Sequence, residues 1–432
     1  MQLTIFRGSK EVGGSCLEVQ SGTTRIILDV GMPIFDENRQ PYDRTELSRM
    51  TTTRLEANGI APCVPGLFSG KSQPDAILLS HAHLDHVGLL EHTVSTIPVY
   101  ASKGTSKMML VGEVFANQSR IPDGRHREVH SGRQVTIGDF TITPLAVDHS
   151  IHGCLAFLIE AAGKRLLYTG DLRLHGNRPD EHESIIETLR GSSLDALIVE
   201  GTHFGLDDGN ATSEAELEIQ ITWHVEDALG LVLAAFSPQH MDRLRAFIHA
   251  AKETGRTFVA DVYTAFTLYM ASYEARLENP LTSGFGRVYY PLSEQRKIEQ
   301  RGPTKVHDMF RNVEIQMDEI LETPESHLMV FRESMLEDFA DGLPNDSLCI
   351  YSKWQGYSRQ DKWQKVESAF AATNGRIVHA HTSGHALSAD IVNFTRAINA
   401  KTIIPIHTFE PEKFREHFDN VFVATDGQPI NL

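Results

Sequence analysis

Six consecutive residues form the densest group of possible metal ligands in the chain, His81-Ala82-His83-Leu84-Asp85-His86. The apolar run before them predicts a buried strand that ends in a tight turn and presents three imidazoles and a carboxylate. Neutral imidazole and carboxylate are ligands of borderline divalent metals. Four ligands are too many for one tetrahedral ion that keeps an open position. The pattern therefore favours two ions, one on His81 and His83 and one on Asp85 and His86, over a polar loop that happens to be rich in histidine.

A two-metal site needs more ligands, and four candidates stand where predicted strands end. They are Asp29 after residues 25–28, His149 after 145–148, Asp171 after 165–170 and His407 after 402–406. Because α/β layers place ligands at strand ends, we expect these residues to meet at one edge, where an aspartate can bridge two cations. The alternatives are that Asp29 and Asp171 form turns beside glycines and that His149 is structural.

The elements that must position these residues change in type after Glu200. Up to that point predicted strands dominate, and the strands at 3–7, 15–19, 25–29, 75–80, 135–137, 140–147, 155–160, 165–169 and 196–200 are separated by glycine turns. A helical pattern opens at 212–216, and strands then alternate with helices in a βαβ rhythm. Short strands that end at histidines return from residue 376. The layout predicts one catalytic domain formed by residues 1–205 and 366–432, interrupted by an α/β domain at 206–365.

The composition is that of an ordinary globular protein, with 41% hydrophobic and 22% charged residues in 432. No stretch approaches the ~20 apolar residues of a membrane span, so we expect no membrane association. Four scattered cysteines indicate neither a disulfide framework nor a cysteine zinc site, and a reducing cytoplasmic setting is the default. The net charge of −17 argues against a general nucleic-acid coat protein, although it is compatible with an enzyme that has a local positive cleft.

The order of these ligands resembles the metallo-β-lactamase superfamily, whose αββα sandwich binds two metals at the edge of its sheets. Three later residues resemble the motifs of the β-CASP nucleases. Glu200 in E-G-T is similar to motif A, His385 in H-T-S-G-H-A to motif B and His407 in I-P-I-H to motif C. The wording is most similar to ribonuclease J and to short prokaryotic relatives of the cleavage-and-polyadenylation nuclease. In that family the inserted parallel-sheet α/β domain is the β-CASP domain.

The resemblance implies a role for each matched residue. His81, His83 and His149 would hold one divalent ion, and Asp85, His86 and His407 the other, with Asp171 bridging. Asp29 would support the turn from behind, Glu200 would hydrogen-bond His385, and His381 and Ser383 would seat a substrate phosphate. The metal would be Zn²⁺ or Mn²⁺, since imidazole and carboxylate suit both. A homodimer is also compatible with the family.

The resemblance implies that the bond hydrolysed is a phosphodiester in single-stranded RNA. Two cations would lower the pKa of a bridging water for in-line attack, with Asp85 orienting that water. His385 would protonate the leaving oxygen, and the action could be endonucleolytic or 5′-exonucleolytic. The alternatives are a structural Glu200–His385 pair, a hydrolase acting on DNA, a lactone, a thioester or a β-lactam, and an inactive RNA-processing subunit. Arg173, Arg178 and Arg243 are candidates for phosphate recognition.

Overall fold

The computed structural model describes residues 1–206, 212–302, 304–354 and 361–432. The chain divides into two compact units, one formed by residues 1–211 and 384–432 and one by residues 212–383. The sequence predicts that the chain returns to the first domain at residue 366, whereas in the structure the first unit resumes at residue 384. The reason is that the strand at Arg376–His379 pairs with the sheet of the second unit.

The strands of the described residues are as follows in chain order: β1 (Gln2–Arg7), β2 (Cys16–Ser21), β3 (Thr24–Leu28), β4 (Ala76–Leu78), β5 (Val99–Ala101), β6 (His126–Glu128), β7 (Val135–Ile137), β8 (Phe140–Ala146), β9 (Leu155–Ala161), β10 (Lys164–Tyr168), β11 (Ala196–Glu200), β12 (Val232–Ala235), β13 (Thr257–Asp261), β14 (Gly286–Tyr289), β15 (His327–Val330), β16 (Leu348–Tyr351), β17 (Arg376–His379), β18 (Thr402–Ile406) and β19 (Pro429–Asn431).

The α-helices of the same residues are α1 (Arg44–Leu47), α2 (Thr52–Ala57), α3 (Leu84–Val87), α4 (Lys103–Ala116), α5 (Pro179–Leu189), α6 (Glu214–Glu226), α7 (Met241–Glu253), α8 (Val262–Ala271), α9 (Pro280–Ser283), α10 (Leu292–Arg301), α11 (Lys305–Asp308), α12 (Met317–Glu322), α13 (Asp361–Ala372) and α14 (Ser388–Ile398).

The first unit contains two mixed sheets. One has the order β19-β1-β2-β3-β4-β5-β6 and the other β18-β11-β10-β9-β8-β7. In the first sheet β3 to β6 run parallel, and in the second β10, β11 and β18 do. The remaining neighbours in both sheets run antiparallel.

A single apolar core joins the two sheets of the first unit. Leu3, Val19 and Ile26 from the first sheet pack in one cluster with Phe157 and Ile198 from the second, and all five are fully buried. Apolar residues two positions apart in each of β1, β2 and β3 contribute to this core, because successive side chains of a strand point to opposite faces of the sheet. The two sheets thus form the predicted sandwich.

The register of this sandwich brings several strand ends to one edge. Leu28 of β3 lies opposite Leu78 of β4, and Glu200 of β11 lies opposite Ile406 of β18. Because these neighbours run parallel, the residues that follow them leave the sheets at the same end.

The second unit is built on an all-parallel sheet with the order β14-β13-β15-β12-β16-β17. Its strands are apolar without alternation, as in β12 and β16, where every residue is buried. Such strands are covered by helices on both faces. The predicted α/β character of this unit is therefore confirmed, and residues 292–301 form the polar helix α10.

Within the part of the chain that the structure describes, no helix is both long enough and apolar enough to cross a membrane.

Candidate metal centre

The histidine-rich turn is held against the loop that follows β3. The backbone N–H of Val30 donates to the carbonyl of His86 over 2.8 Å, and that of Met32 donates to Leu84 over 3.0 Å. Gly31 lies between them, and a Cβ atom at this position would be 1.8 Å from the carbonyl oxygen of Asp85. The close approach of these two backbone segments therefore requires glycine, and it fixes the turn that carries the predicted ligands.

One group of side chains brings three imidazoles together beside a carboxylate. The Nε2 atoms of His81 and His149 lie 3.0 and 3.1 Å from Nδ1 of His83. Together with Asp171 these residues offer ligand atoms that all lie within 4.8 Å of one another. Burial lowers the pKa of the His83 imidazole to about 4 and holds the pKa values of His81 and His149 well below the ordinary range. The rings are therefore neutral, which is the form that binds a cation.

A second group lies on the other side of the same aspartate. Asp85 Oδ2 is 3.1 Å from Nε2 of His407 and 3.9 Å from Nε2 of His86. These three residues and Asp171 again place one ligand atom each within 4.8 Å of the others. Burial alone would raise the pKa of Asp85, but the hydrogen bond with His407 and the charge of His86 hold it below its usual range.

Asp171 belongs to both groups and stands between them. Its Oδ2 is 3.2 Å from Nε2 of His86, 3.7 Å from Nε2 of His81 and 3.8 Å from Nε2 of His407. The side chain is 2% exposed. Burial would raise the pKa of this carboxyl. The surrounding imidazoles, first His407 and then His86, nevertheless hold that pKa well below its usual value.

The unsatisfied atoms of this cluster show that its residues fit divalent cations. Neither oxygen of Asp171 accepts a hydrogen bond from the described residues, and Nε2 of His86 makes no hydrogen bond with them either, although it lies 3.2 Å from Oδ2 of Asp171. Buried polar atoms without partners are costly, and they recur where an ion completes the site. The two overlapping sets of imidazole and carboxylate groups could hold two metal ions with Asp171 shared.

Asp29 lies behind the ligands, where it acts as an acceptor. Its carboxylate accepts the Ser80 N–H over 2.7 Å and the Ser80 hydroxyl over 2.6 Å, and it is 2.8 Å from Nδ1 of His86. The Tyr168 hydroxyl donates to it as well. These contacts leave Nε2 of His86 pointing into the cluster, in the arrangement expected of a carboxylate that orients a metal-binding imidazole.

Backbone strain accompanies two of these residues. Asp29 and His407 adopt φ angles of 58° and 51°, in the left-handed region that side chains other than glycine rarely occupy. Non-glycine residues persist there when the surrounding structure determines their position, which is common at functional sites.

Glu200 and His385 form a buried pair at the edge of this cluster. Nδ1 of His385 lies 3.1 and 3.3 Å from the two carboxylate oxygens of Glu200, which is fully buried and also accepts the Leu172 N–H over 2.9 Å. Burial would lower the pKa of the imidazole, but Glu200 and then Asp171 raise it to about 9. The His385 side chain is 23% exposed, so it reaches solvent while its Nδ1 is anchored.

The arginines considered for phosphate recognition are engaged in internal contacts. Arg173 and Arg178 both donate to Asp148 Oδ1, over 3.2 and 3.0 Å, and Arg178 also donates to the carbonyl of His149 over 3.1 Å. Asp148 and its arginines thereby fix the loop that carries His149. Arg173 is 1% exposed and therefore presents no surface to a substrate.

His381 and Ser383 belong to the second unit, so the structure does not join them to the metal cluster. Nδ1 of His381 lies 3.2 Å from Nη1 of Arg243, whose Nη2 donates to the carbonyl of Thr382 over 2.9 Å. Arg243 is fully buried and makes a bidentate ion pair with Glu214 through contacts of 3.0 and 2.9 Å. This arginine holds the segment before His385 and is not a surface ligand for phosphate.

Three supporting residues were not selected from the sequence: Ser80, Tyr168 and Thr202. Ser80 immediately precedes His81, and Thr202 follows Glu200 by two positions. The sequence signal for a supporting role is a serine or threonine within two positions of a candidate ligand or of Glu200. Tyr168 gives no such sign because it reaches Asp29 from another strand.

Comparisons with known proteins agree with this geometry. The family described as "Beta-lactamase superfamily domain" matches residues 55–255. The chain is 28% identical over 422 residues to the ribonuclease J of Mycobacterium tuberculosis, a match that covers 94% of this chain and 68% of that relative. It is 30% identical over 265 residues to the ribonuclease J of Mycolicibacterium smegmatis, with 59% of this chain and 43% of the relative covered. The matched part thus spans less than half of one relative and about two thirds of the other.

A solved structure shares the whole fold. A protein of unknown function from Enterococcus faecalis V583 superposes with a TM-score of 0.79 over 100% of this chain and 99% of the other, at 22% identity. Residues 55–255 of the chain match a domain of the metallo-β-lactamase superfamily. The chain's relatives among the ribonucleases J are consistent with the β-CASP nuclease family within that superfamily.

Proposed function

We propose that this protein is a two-metal phosphodiesterase that cleaves single-stranded RNA. The observation that carries the proposal is the hydrogen-bonded pair of Glu200 and His385. This pair lies beside the two groups of candidate metal ligands, and Asp171 is close to all of them. Hydrolases of small substrates do not need an imidazole held in this way. The names of the relatives, which are ribonucleases, support the same substrate class.

The two ligand groups divide between two cations in the proposal. His81, His83 and His149 would hold one ion and Asp85, His86 and His407 the other, with Asp171 as the shared ligand. When bound, two divalent cations supply an acidified water and neutralise negative charge on a phosphoryl group. Zn²⁺ and Mn²⁺ both suit this donor set.

The protein's own groups orient the water and move the proton. Asp85 is 14% exposed, so its carboxylate can accept a hydrogen bond from a water that enters the site and can direct that water's lone pair toward phosphorus. His385 carries a proton at neutral pH because Glu200 stabilises its cationic form. Its exposed side donates that proton to the leaving oxygen, while Glu200 keeps the ring in place.

Several finer assignments rest on the sequence resemblance. These are the seating of a substrate phosphate by His381 and Ser383, the β-CASP identity of the second unit, endonucleolytic or 5′-exonucleolytic action, a cytoplasmic location and a homodimer. His381 and Ser383 precede His385 by four and two positions, which is the basis of their assignment.

The test compares cleavage of 5′-labelled single-stranded RNA and DNA by the zinc-loaded protein and two variants. His385→Ala should lower the rate by about 10²–10⁴-fold, because a general acid contributes that much. His130→Ala is the matched control, since His130 is an exposed histidine of the same unit whose side chain is 53% accessible. It should cleave like the wild type.

Each result of this test decides a separate point. Failure of the wild type to cut RNA would refute the proposal, and cleavage of DNA alone would change the substrate. An unchanged rate in His385→Ala would remove this residue from the mechanism.

A further inference from the structure

The hydroxyl of Thr202 lies at the centre of three polar groups near the metal cluster. Its Oγ1 is 2.6 Å from Oε2 of Glu200, 2.9 Å from Nδ1 of His407 and 3.2 Å from Nδ1 of His385. Thr202 follows the end of β11 by two residues, and His407 follows the end of the neighbouring β18 by one. The parallel pairing of these strands therefore brings the hydroxyl to both imidazoles.

Counting protons determines the direction of these hydrogen bonds. A hydroxyl donates one hydrogen and offers two lone pairs, whereas a carboxylate only accepts. The hydroxyl of Thr202 therefore donates its hydrogen to Oε2 of Glu200, and this contact is the shortest that the hydroxyl makes. The carbonyl of His407, at 3.4 Å, is a poorer acceptor. A lone pair of Thr202 is left to accept hydrogen from Nδ1 of His407. The single Nδ1 hydrogen of His385 is directed to the Glu200 carboxylate, with the Thr202 oxygen 3.2 Å away.

This direction fixes the tautomer of His407. When a cation is bound, a neutral ring with its hydrogen on Nδ1 would offer that cation the lone pair of Nε2, the atom that hydrogen-bonds Asp85 Oδ2 over 3.1 Å and lies 3.8 Å from Asp171 Oδ2. A metal ligand needs its lone pair at this atom, and the other ring nitrogen is normally held by a hydrogen-bond acceptor. Thr202 is that acceptor for His407.

A similar arrangement of carboxylate, hydroxyl and imidazole occurs at the Ser80 side of the cluster. The Ser80 hydroxyl donates to Asp29 over 2.6 Å and lies 3.0 Å from Nδ1 of His81, whose Nε2 faces the other ligands. In both places a hydroxyl is fixed by a buried carboxylate and receives the N–H of a candidate ligand. Thr202 differs in that its carboxylate, Glu200, also holds His385.

We propose that Thr202 is a positioning residue that links the metal site to the proton donor. Through Glu200 its hydroxyl is held in one orientation, in which it presents Nε2 of His407 to the cation shared with Asp85 and His86 and limits rotation of His385. This inference rests on the proposed two-metal function and adds a residue whose side chain is not itself a ligand.

The experiment compares Thr202→Val, which keeps the shape and removes the hydroxyl, with Thr202→Ser, which keeps the hydroxyl. Zn²⁺ is titrated into each metal-stripped protein by calorimetry in competition with a chelator. The wild type and Thr202→Ser should bind two equivalents tightly. In Thr202→Val one equivalent should bind about 10–100-fold more weakly, as expected when the group behind a ligand is lost.

A matched control excludes a general effect of losing a buried hydroxyl. Thr395 lies in α14 of the same unit, is 1% exposed, and its Oγ1 has no hydrogen-bond partner in the described part of the chain. Thr395→Val should bind both equivalents like the wild type. Thermal unfolding of all metal-free variants verifies that each is folded.

The outcomes separate this inference from the proposed function. Two tight equivalents in Thr202→Val would overturn the role of Thr202, whether or not the protein cuts RNA. Weak binding in both Thr202→Val and Thr202→Ser would also overturn it, because the hydroxyl would then not be the determinant. A wild type that binds both ions but leaves RNA intact would refute only the proposed substrate. NMR of the imidazole nitrogens supplies a direct reading, since His407 should carry its hydrogen on Nδ1 in the wild type and lose that preference in Thr202→Val.

Discussion

The buried ion pair between Glu214 and Arg243 offers a sharp test of what holds the second unit together. Both side chains are 0% exposed, and Nε and Nη2 of the arginine donate to the two carboxylate oxygens over 3.0 and 2.9 Å. Glu214→Gln keeps the shape, removes the negative charge and turns an NH₂ group toward the guanidinium. Breaking a buried pair in this way leaves an uncompensated charge, which costs about 3–5 kcal/mol.

The assay can be confined to this unit. All three tryptophans of the chain, Trp223, Trp354 and Trp363, lie within it, and Trp363 is 1% exposed in its core. Tryptophan fluorescence during urea unfolding therefore reports the free energy of unfolding of this unit. We expect Glu214→Gln to lower that free energy by about 3–5 kcal/mol.

An exposed pair of the same unit provides the control. Lys252 and Glu278 lie 2.9 Å apart with side chains 51% and 37% accessible, so Glu278→Gln should cost no more than about 1 kcal/mol. Replacing both buried partners, by Glu214→Leu with Arg243→Met, should recover much of the loss because no buried charge remains. A loss in Glu214→Gln no greater than that in the control would refute the reasoning.

Three further predictions concern the metal cluster and pH. Asp171→Asn removes the charge of the shared ligand. Metal analysis should therefore find at most one zinc ion per chain instead of two, and a cleavage assay should find the RNA cleavage rate lowered by at least about 10²-fold. Stripping the metals with a chelator should lower the melting temperature, and restoring Zn²⁺ should reverse this, since an ion at a thousandfold excess over its Kd stabilises the folded state by about 4 kcal/mol; an unchanged melting curve would contradict metal binding. Burial and then the charge of Arg243 lower the pKa of His381 from 6.5 to about 3. The unfolded chain therefore binds the proton more readily, and stability present above pH 6.5 is lost as the pH falls toward 3, so the urea midpoint should fall less steeply with acid in His381→Gln than in the wild type.

The sequence was informative about the sandwich and its edge because short-range patterns determine both. The strands predicted at 135–137 and 196–200 occur with those bounds, and the others of the first unit differ by a few residues at their ends. Asp29, His149, Asp171 and His407 converge because each follows a strand in an apolar run of the type that pairs in a layered sheet. The ligand roles of these residues stay predictions until metal is measured.

Long-range contacts limited what the sequence could reveal. Nothing local to Tyr168 indicates that it reaches Asp29, and nothing local to Arg243 indicates a partner 29 positions earlier in the chain. The end of the second unit depends on a long-range contact for the same reason. Whether β17 (Arg376–His379) joins the sheet before it or the sheet after it depends on pairing with β16, which its own four residues do not encode.

The parallel pairing of β11 with β18 has a consequence for biosynthesis. Glu200 and His407 belong to one edge, yet the whole second unit is translated between them. A nascent chain can contain His81, His83, His149 and Asp171 and still lack His407 and His385. The centre therefore cannot be completed until the second unit has been translated and β18 has left the ribosome and paired with β11.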